Sequence, residues 1–597
     1  MGNTVKVSDY VADFLVRHDI DTCFTVTGGG AMHLNDSFGH HPHIKSIYNH
    51  HEQACAMAAD GYAKVTDKPA LVCVTSGPGT TNTMTGVLGA WLDSLPMIII
   101  SGQMNYDTTI ASTPLKLRQL GFQEYNIIDS IKPMTKYAEM VTDPNYIAYH
   151  LEKAHHLATT GRKGPVWLDI PLNIQSSKIE ENNLVHYTPN HAVSKLSTEE
   201  KESIVDILNN AKKPAILAGY GVRMHDSYNE FLDFIERLQI PVLTEWNSND
   251  LIPNTHPLYA GNPGSIGNRG GNFVLQNADV VLMLGCQLSI RQTSYAWHNF
   301  AKDAYKIAVN VDSEELSKPT VKIDYSINLG LKEFISSMDI FLDKNVKWND
   351  WCTSINEKYP VVLPKHFENE DVISVYAFIK RLSDNLNAED NVVLANGAAC
   401  VAGLQAIETQ TDQRVFTNAG ASSMGYGIAA ALGASVAKHK GSTICIEGDG
   451  SIQMNLQELQ TIVHNNLNVK IFWINNDGYH SIKQTQNAMF KAEERGLVGA
   501  HKDSGISFPA AEGIAKAYNL KYFKITKTSE LNNLKSILNE NGPILCEIVT
   551  DPYEKFEPKL QSKMLEDGSF YTPPLDDMFP FLPREEMKAN KFESDDR

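Results

Sequence analysis

The stretch GDGSIQMNLQELQTIVHNNLNVKIFWINN at residues 448–476 decides the fold. An apolar run, STICIE at 442–447, leads into it, and a second one, VKIFWI at 469–474, lies near its end. Asn455 stands three residues before Glu458 as in a capping box, and apolar residues follow at helical spacing, so a helix is predicted between the runs. A strand, a helix and a returning strand form a βαβ crossover, in which both strands run parallel and end at one sheet edge.

Polar residues follow both predicted strands at that edge. We expect Asp449 and Asn476 to lie side by side there, where ligands of open α/β sheets bind. One carboxylate, one amide oxygen and a nearby carbonyl suit Mg²⁺ or Ca²⁺, and Mg²⁺ usually takes its remaining ligands from phosphates and water. Gly448 and Gly450 leave room for phosphate, and a following helix N-terminus would favour its charge. The motif predicts a metal-bound diphosphate, although Gly-Asp-Gly alone is also a common turn.

The rest of the chain repeats the rhythm of short apolar strands that lead through glycine-rich turns into helices. Examples are LVCVTS (71–76), KPAILAGYG (213–221), ADVVLMLGC (278–286) and NVVLANG (391–397). We therefore expect an α/β protein with three doubly wound parallel-sheet domains at 1–180, 190–345 and 370–555, followed by a tail at 556–597. The stretch after residue 345 shows no clear period, and neither does the tail.

Composition excludes several classes of protein. The 52 basic and 70 acidic residues give a formal net charge of -18, which argues against nucleic-acid binding. The N-terminal residues lack the apolar core of a secretory signal, and no apolar run is long enough to span a membrane, so a cytoplasmic protein is expected. The eight cysteines form no C-x-x-C pair and are predicted to be buried reduced thiols.

The 448–476 motif resembles the thiamine diphosphate motif of the acetolactate synthase and pyruvate oxidase group. The resemblance implies that Asp449, Asn476 and the carbonyl of Gly478 hold Mg²⁺, which clamps the diphosphate of the cofactor. It also implies a pyrimidine-binding, a central Rossmann-like and a diphosphate-binding domain. The other residues that it assigns to cofactor binding in this motif are Gly448, Gly450, Ser451 and Tyr479.

Thiamine diphosphate chemistry requires loss of a proton from the thiazolium, for which the cofactor supplies its own base. A glutamate that shares a proton with the pyrimidine nitrogen N1′ makes that base available. The segment HHEQACAMAADGYAK (50–64) places Glu52 at the start of a helix of small apolar residues and resembles the segment of the family's activating glutamate. A glutamate in the first turn of a helix is also stabilised by the helix dipole without any other role.

A further match concerns the cofactor, and the resemblance also implies an assembly. TNAGASSMGYGIAAALGA (417–434) resembles the family stretch in which Met424 is the wedge between the cofactor rings and the Ser422 carbonyl accepts from N4′. A methionine among glycines and alanines is otherwise an ordinary core residue. In this family the glutamate domain of one subunit faces the metal domain of another, which implies a homodimer or a homotetramer with the active site at the interface.

Two local matches and two departures from the family pattern concern the substrates. GFQEYN (121–126) resembles the family's FQE loop, which places Phe122 and the candidate catalytic residue Gln123 near the substrate, and Arg291 matches an arginine that could face a carboxylate. His480 stands where glycine is usual and is either an acid or base or a space filler. Thr485 replaces a tryptophan that shapes the acceptor pocket, so a larger, sugar-like acceptor is a hypothesis.

The sequence of the central domain is compatible with a bound flavin or with its loss. The loop GNPGSIGNRGG (261–271) is glycine-rich but departs from the family's corresponding loop, so FAD is either bound structurally or lost. The segment after Ala398 also lacks a Gln-His pair of the synthases. The expected activity is a carboligase that decarboxylates a 2-oxo acid such as pyruvate and adds the resulting enamine to a second carbonyl. The alternatives are a decarboxylase, a C–C lyase acting on a non-pyruvate, possibly sugar-like substrate, or a cofactor-binding scaffold.

Overall fold

The computed structural model describes residues 4–189, 195–224, 227–437, 440–490, 492–565 and 567–593. It contains three parallel sheets of six strands each, with helices on both faces, which confirms the predicted α/β architecture. All eight cysteines are free thiols and seven of them are buried, as expected. No helix in the described part of the chain has both the length and the apolarity of a membrane span.

The first sheet lies in the N-terminal part of the chain. Its six strands are β2 (Thr22–Thr25), β3 (Lys45–Tyr48), β4 (Leu71–Val74), β5 (Met97–Gln103), β6 (Tyr137–Met140) and β7 (Pro165–Pro171). Two further strands, β1 (Thr4–Lys6) and β8 (Lys178–Glu180), form a separate antiparallel pair. The helices are α1 (Val7–Arg17), α2 (Met32–His40), α3 (Glu52–Thr66), α4 (Pro78–Leu92), α5 (Ile127–Ile131), α6 (Ile147–Thr159) and α7 (Leu172–Ser176). The sheet order is β3-β2-β4-β5-β7-β6.

The central sheet has a different topology. Its strands are β9 (Pro214–Ala218), β10 (Val242–Thr244), β11 (Tyr259–Gly261), β12 (Val280–Leu284), β13 (Tyr305–Asn310) and β14 (Tyr325–Asn328). Its helices are α8 (Thr198–Asn210), α9 (Gly221–Met224), α10 (Tyr228–Leu238), α11 (Arg269–Asn277), α12 (Ile290–Thr293), α13 (Ser313–Leu316) and α14 (Leu331–Ser337). The order β11-β10-β9-β12-β13-β14 is the 3-2-1-4-5-6 arrangement of dinucleotide-binding folds.

The stretch after residue 345, in which the sequence shows no clear period, contains regular structure. A helix, α15 (Val346–Lys358), packs against α11 and β11. Its buried side chains Trp348, Cys352 and Ile355 follow the spacing of one helix face. The apolar face of this helix is hard to recognise in the sequence, because the polar Asn349 is also buried and charged residues lie between the apolar ones.

The third sheet contains the Gly-Asp-Gly motif of residues 448–476. Its strands are β15 (Asn391–Leu394), β16 (Arg414–Phe416), β17 (Thr443–Gly448), β18 (Val469–Asn475), β19 (Lys521–Ile525) and β20 (Ile544–Val549). The helices are α16 (Val375–Ser383), α17 (Ala398–Ala406), α18 (Tyr426–Val436), α19 (Glu458–His464), α20 (His480–Phe490), α21 (Ala492–Arg495), α22 (Ala511–Ala517) and α23 (Leu534–Leu538). Its order is β16-β15-β17-β18-β20-β19. When the six strands of each sheet are numbered along the chain, this order is the same as that of the first sheet.

The predicted crossover is present, but its helix begins differently. The element directly after Gly450 is a 3-10 turn, Ile452–Met454, and α19 begins only at Glu458, so the predicted capping box is wrong. Asn455 instead donates from Nδ2 to the Gly425 carbonyl at 2.9 Å and to Gln53 Oε1 at 3.1 Å. Tertiary partners on the neighbouring helices have displaced the local cap.

The tail crosses from the third domain to the central one. It contains β21 (Lys563–Met564), β22 (Phe570–Tyr571) and α24 (Arg584–Ala589). Arg269 on α11 donates to the carbonyls of Met578 and Pro580, and Phe592 packs edge-on against the Trp348 ring. The tail therefore holds these two domains together, and its first residues pass the candidate site described below.

Helices α3 and α18 join the first and third domains at very close range. A Cβ atom added at Gly433 would lie 1.8 Å from the carbonyl oxygen of Ala58, and one at Gly61 would lie 2.1 Å from that of Ala430. Both neighbours are backbone atoms, which cannot rotate away. The glycines therefore allow the two helix backbones to touch.

Replacing Gly433 with alanine should separate these helices and destabilise the fold by about 1–3 kcal/mol, the usual cost of overpacking. Chemical denaturation measures this change. The matched control is Gly513→Ala on α22, where an added Cβ meets nothing within 4 Å. The control should be neutral or stabilising by about 0.4–1 kcal/mol. Equal stabilities of the two variants would contradict the close contact.

Candidate active site

A cavity of about 400 Å³ opens at the carboxyl edge of the third sheet. Its walls come from the loops after β15, β17 and β18, with Trp246 and Arg291 from the central domain. The residues that line it include Asn396, Gly397, Val401, Ser422, Met424, Gly448, Asp449, Gly450, Ser451, Asn476, Gly478, Tyr479, His480, Ser481 and Ile482. Most of the predicted cofactor residues are thus neighbours in space.

Asp449 and Asn476 lie side by side because β17 and β18 pair in parallel, with Gly448 opposite Ile474. Asp449 Oδ2 accepts hydrogen bonds from the backbone N–H groups of Asn476 at 3.3 Å and Gly478 at 3.0 Å. Burial raises the pKa of this carboxyl, which is only 4% exposed, to about 6. A bound cation would favour its ionised form.

The glycines around Asp449 have distinct structural roles. Gly478 has φ +129°, and a Cβ there would lie 2.1 Å from the Ala500 carbonyl, so only glycine fits. A Cβ at Gly450 would strike the Tyr479 ring at 2.1 Å. At Gly448 an added Cβ would meet nothing within 4 Å, which leaves open space above the backbone. A phosphate can approach the chain there.

The donor set fits a divalent cation that completes its shell with ligand oxygens. Within the described ranges, no cluster of three or more His, Cys, Asp or Glu side chains could hold a metal by itself. One carboxylate, one amide and one carbonyl are hard-oxygen donors, and such partial sets are typical of Mg²⁺ bound together with phosphates. The site therefore suits a magnesium–diphosphate pair better than a free metal ion.

Ser422 and Met424 form another wall of the cavity. Ser422 has φ +49°, and its carbonyl accepts from Asn396 Nδ2 at 2.7 Å. Ser451 Oγ accepts from the backbone N–H of Gly425 at 3.0 Å, which fixes this segment to the Gly-Asp-Gly loop. The Ser422 carbonyl keeps a second lone pair for a ligand donor. Sequence reasoning missed Asn396, although an asparagine and a glycine directly after a strand were a usable signal.

His480 lies at the boundary between the cavity and the tail. Its Nε2 is 2.6 Å from the carbonyl oxygen of Glu554, and its ring packs 5.1 Å from that of Phe556. Burial lowers the pKa of the ring, and the amide nitrogen of Gln484 lies 2.7 Å from the same Nε2. Nδ1 is buried and has no hydrogen-bond partner. The tail thus orients this side chain.

Four predicted residues do not line the cavity within one chain. Glu52 begins α3 as predicted and is half-buried, and its Oε2 accepts from Asn82 Nδ2 at 3.0 Å. Phe122 is 81% exposed, and the neighbouring Gln123 is also exposed, with φ +58°. Thr485 is exposed on α20, and its hydroxyl donates to the Ser481 carbonyl at 3.0 Å. Arg291, by contrast, lies in the cavity wall.

Comparisons with known proteins agree with this geometry. Three family models of thiamine pyrophosphate enzymes match the chain: the N-terminal TPP binding domain at residues 5–127, the central domain at 202–338 and the C-terminal TPP binding domain at 395–548. The acetolactate synthase large subunit of Lactococcus lactis is 30% identical over 94% of this chain and 95% of its own length. The chain belongs to the acetolactate synthase family of thiamine diphosphate-dependent enzymes.

Other members of the acetolactate synthase family are similarly related. The acetolactate synthase isozyme 1 large subunit of Escherichia coli is 29% identical over 92% of this chain and 95% of its own length. The probable acetolactate synthase large subunit of Methanococcus aeolicus is 30% identical over 90% of this chain and 91% of its own. The family resemblance read from the motifs is therefore confirmed over nearly the whole chain.

Proposed function

We propose that the protein is a thiamine diphosphate- and Mg²⁺-dependent carboligase that decarboxylates a 2-oxo acid, such as pyruvate, and joins the remaining acyl fragment to a second carbonyl. The observation that carries this proposal is the placement of Asp449, Asn476 and Gly478 around one cavity that Ser422 and Met424 also line. Relatives that bear the name acetolactate synthase match over almost their entire length, which supports the reaction class.

Within this proposal each cavity residue has one task. Asp449, Asn476 and the Gly478 carbonyl would hold Mg²⁺, and Gly448, Gly450, Ser451 and Tyr479 would surround the diphosphate. Met424 would support the bent cofactor, and the Ser422 carbonyl would accept from its amino group. When bound, thiamine diphosphate supplies a thiazolium carbon that can carry negative charge next to a carbonyl. The apolar walls at Met424, Val401 and Ile482 would keep water away from that carbon.

Glu52 would hold the proton shared with the pyrimidine nitrogen, but in a single chain it lies outside the cavity wall. A second copy of the chain would supply this glutamate together with Phe122 and Gln123, so we propose a homodimer or a homotetramer. Unpaired apolar side chains support such an interface. They are exposed on both the first and the third domain: Tyr48, Leu115, Leu117, Leu120, Phe122, Met454 and Ile482.

The acceptor is proposed to be larger than pyruvate. Thr485 lies one helical turn beyond Ser481, which lines the cavity, and a threonine leaves space that a tryptophan would fill. Arg291 would face a carboxylate of the donor or a charged group of the acceptor. His480, which the tail holds through the Glu554 carbonyl, lines the cavity and would act as an acid or base near the bound substrates or fill space beside the diphosphate.

Product analysis tests the reaction. Supplied with thiamine diphosphate, Mg²⁺ and pyruvate, the protein should release CO₂ and form a new carbon–carbon bond, faster with hydroxylated aldehydes or ketones than with pyruvate alone. Mass spectrometry of the products and an assay of CO₂ measure both steps. Acetaldehyde as the main product would indicate a simple decarboxylase, and a strict preference for pyruvate as acceptor would contradict the larger pocket.

A further inference from the structure

The central domain has the strand order of a dinucleotide-binding fold, so its ligand crevice can be located. Strand β9 connects to β10 on one side and pairs with β12 on the other, which makes the β9–β12 boundary the switch point of the sheet. Ligands of such sheets bind in the crevice beyond the carboxyl ends of these two strands. A flavin dinucleotide would place its diphosphate there.

The backbone itself closes this crevice. After β9, the N–H of Gly219 donates to the Leu284 carbonyl at 2.9 Å, and the N–H of Gly221 donates to the Gly285 carbonyl at 3.1 Å. A Cβ atom at Gly219 would lie 2.4 Å from the Gly285 carbonyl oxygen. The two loops that would have to separate around a diphosphate are therefore hydrogen-bonded to each other.

A carboxylate of the chain occupies the position of the anion. Glu245 follows β10, is only 3% exposed, and accepts from the backbone N–H groups of Gln287 at 3.2 Å and Leu288 at 3.0 Å. Both N–H groups belong to the loop after β12, and backbone donors in such a loop are the usual partners of phosphate groups. A diphosphate would have to displace Glu245, whose pKa burial raises to about 7, from these two donors.

A side chain of the first domain also covers the carboxyl edge of the central sheet. Arg162 donates from Nη1 to Asp312 at 2.9 Å and to Glu315 at 2.6 Å, and from Nε to Ser94 Oγ at 2.9 Å. The two acids follow β13, at the same edge of the sheet, and they are engaged by a side chain from another domain. Arg162 therefore occupies the carboxylates of Asp312 and Glu315, which are then not available to a ligand.

The glycine-rich loop at 261–271 is also satisfied internally. Asn268 Oδ1 accepts from the N–H groups of Asn262 at 3.2 Å and Gly271 at 2.8 Å. Asn272 bonds through its side chain to both the N–H and the carbonyl of Gly264, at 2.9 and 3.0 Å. Arg269 of the same loop holds the tail. These polar groups of the loop are therefore paired within the chain.

What remains of the crevice is a cavity of about 50 Å³, lined by Tyr220, Met224, Glu245 and Arg162 among others. Pockets for ligands of drug size measure roughly 300–1,000 Å³. The remaining space holds a few water molecules and no nucleotide. FAD does not fit the residues that are present, and no step of the proposed reaction is assigned to it.

We propose that the central domain is a flavin-free module in which Glu245 takes the place of the dinucleotide phosphate and Arg162 locks the first domain over the closed crevice. The domain then serves to fix the other two domains and the tail relative to each other. This proposal is independent of the reaction assigned above, since a member of the family without flavin can have either a ligase or a decarboxylase activity.

The direct test is to incubate the purified full-length protein with excess FAD, separate free flavin by gel filtration, and record absorbance near 450 nm. We expect less than about a tenth of an equivalent of retained flavin and no change of Tm with FAD, by the linkage of binding to stability. One retained flavin per chain would overturn the proposal. Thiamine diphosphate retention, measured on the same sample, reports separately on the proposed function.

The variant Glu245→Ala tests the replacement itself. It leaves two buried N–H groups unpaired, so Tm should fall by about 2–4 °C or more, and millimolar inorganic phosphate should recover part of the loss. The matched control is Glu199→Ala, an exposed glutamate on α8 of the same domain. Phosphate should not shift the control beyond its effect on the wild type. A Glu245→Ala protein with unchanged Tm, or one that phosphate does not stabilise, would overturn the assignment.

Discussion

Glu52→Gln should lower turnover by about 10²–10⁴-fold, the usual range for the loss of one acid–base group. Glutamine has nearly the same shape but cannot exchange a proton with the pyrimidine nitrogen. The helix start should be preserved, because His51 caps it through its side chain and Asn82 can donate to the new amide oxygen. Steady-state CO₂ release measures the effect.

Two comparisons separate the loss of the proton from a loss of structure. The Glu52→Gln variant should retain thiamine diphosphate and Mg²⁺ to the same extent as the wild type, because residue 52 does not hold the metal. Glu139→Gln, an exposed glutamate on β6 of the same domain, should have wild-type turnover. Unchanged turnover of Glu52→Gln would refute the role of this residue.

The largest expected effect on stability concerns Lys64, which lies at the centre of a buried polar cluster between the first and third domains. Its ammonium group is 2% exposed and lies 2.8 Å from Asp93, 3.1 Å from Asp60 and 2.8 Å from the Thr417 carbonyl. Tyr426 donates to Asp60 at 2.5 Å. Burial alone would lower the pKa of Lys64, but Asp60 and Asp93 raise it well above its ordinary value. The lysine is therefore charged.

Lys64→Met keeps the volume of the side chain and removes the charge, which leaves two buried carboxyl groups without their cation. We expect a loss of about 3–5 kcal/mol in the free energy of unfolding, as for other buried pairs broken on one side. Chemical denaturation at neutral pH measures it. Lys68→Met, a change of an exposed lysine just beyond α3, is the control and should stay within about 0.5 kcal/mol of the wild type.

The pH dependence of this variant has a definite sign. Burial already raises the pKa of Asp60 to about 6, and removal of Lys64 takes away the charge that lowers it. A carboxyl whose pKa is higher in the folded than in the unfolded state binds more protons when folded, so stability rises as the pH falls towards the unfolded-state value. The loss caused by Lys64→Met should therefore be smaller at pH 5 than at pH 8. A loss independent of pH would contradict the charge argument.

The architecture and much of the candidate site could be predicted from sequence because both depend on local patterns. Apolar runs that end in Gly-Asp-Gly and Asn-Asn locate two strand ends, and parallel pairing then brings Asp449 and Asn476 together without further information. Glu52 at a helix start follows equally from the residues around it. The identical strand order of the first and third sheets could not be read from letters, since it depends on long-range pairing.

The features that sequence reasoning missed all depend on tertiary contacts. Asn455 looks like a helix cap but bonds to Gly425 and Gln53 on neighbouring helices, so local propensity was overridden. Glu245 is an unremarkable acid after a short strand, and only the fold brings it to the N–H groups of Gln287 and Leu288. The role of the tail beside His480 likewise has no periodic signal.

The most direct test of the central claim is retention of the cofactor by the purified chain. After incubation with thiamine diphosphate and Mg²⁺ and passage through a desalting column, we expect one thiamine diphosphate per chain in a thiochrome assay. Chelation of the metal should release it, and Asp449→Asn, which keeps the shape of the metal ligand but not its charge, should bind it about 10–100-fold more weakly. A wild-type chain that retains no thiamine diphosphate with Mg²⁺ present, or retains it equally after Asp449→Asn, would contradict the account.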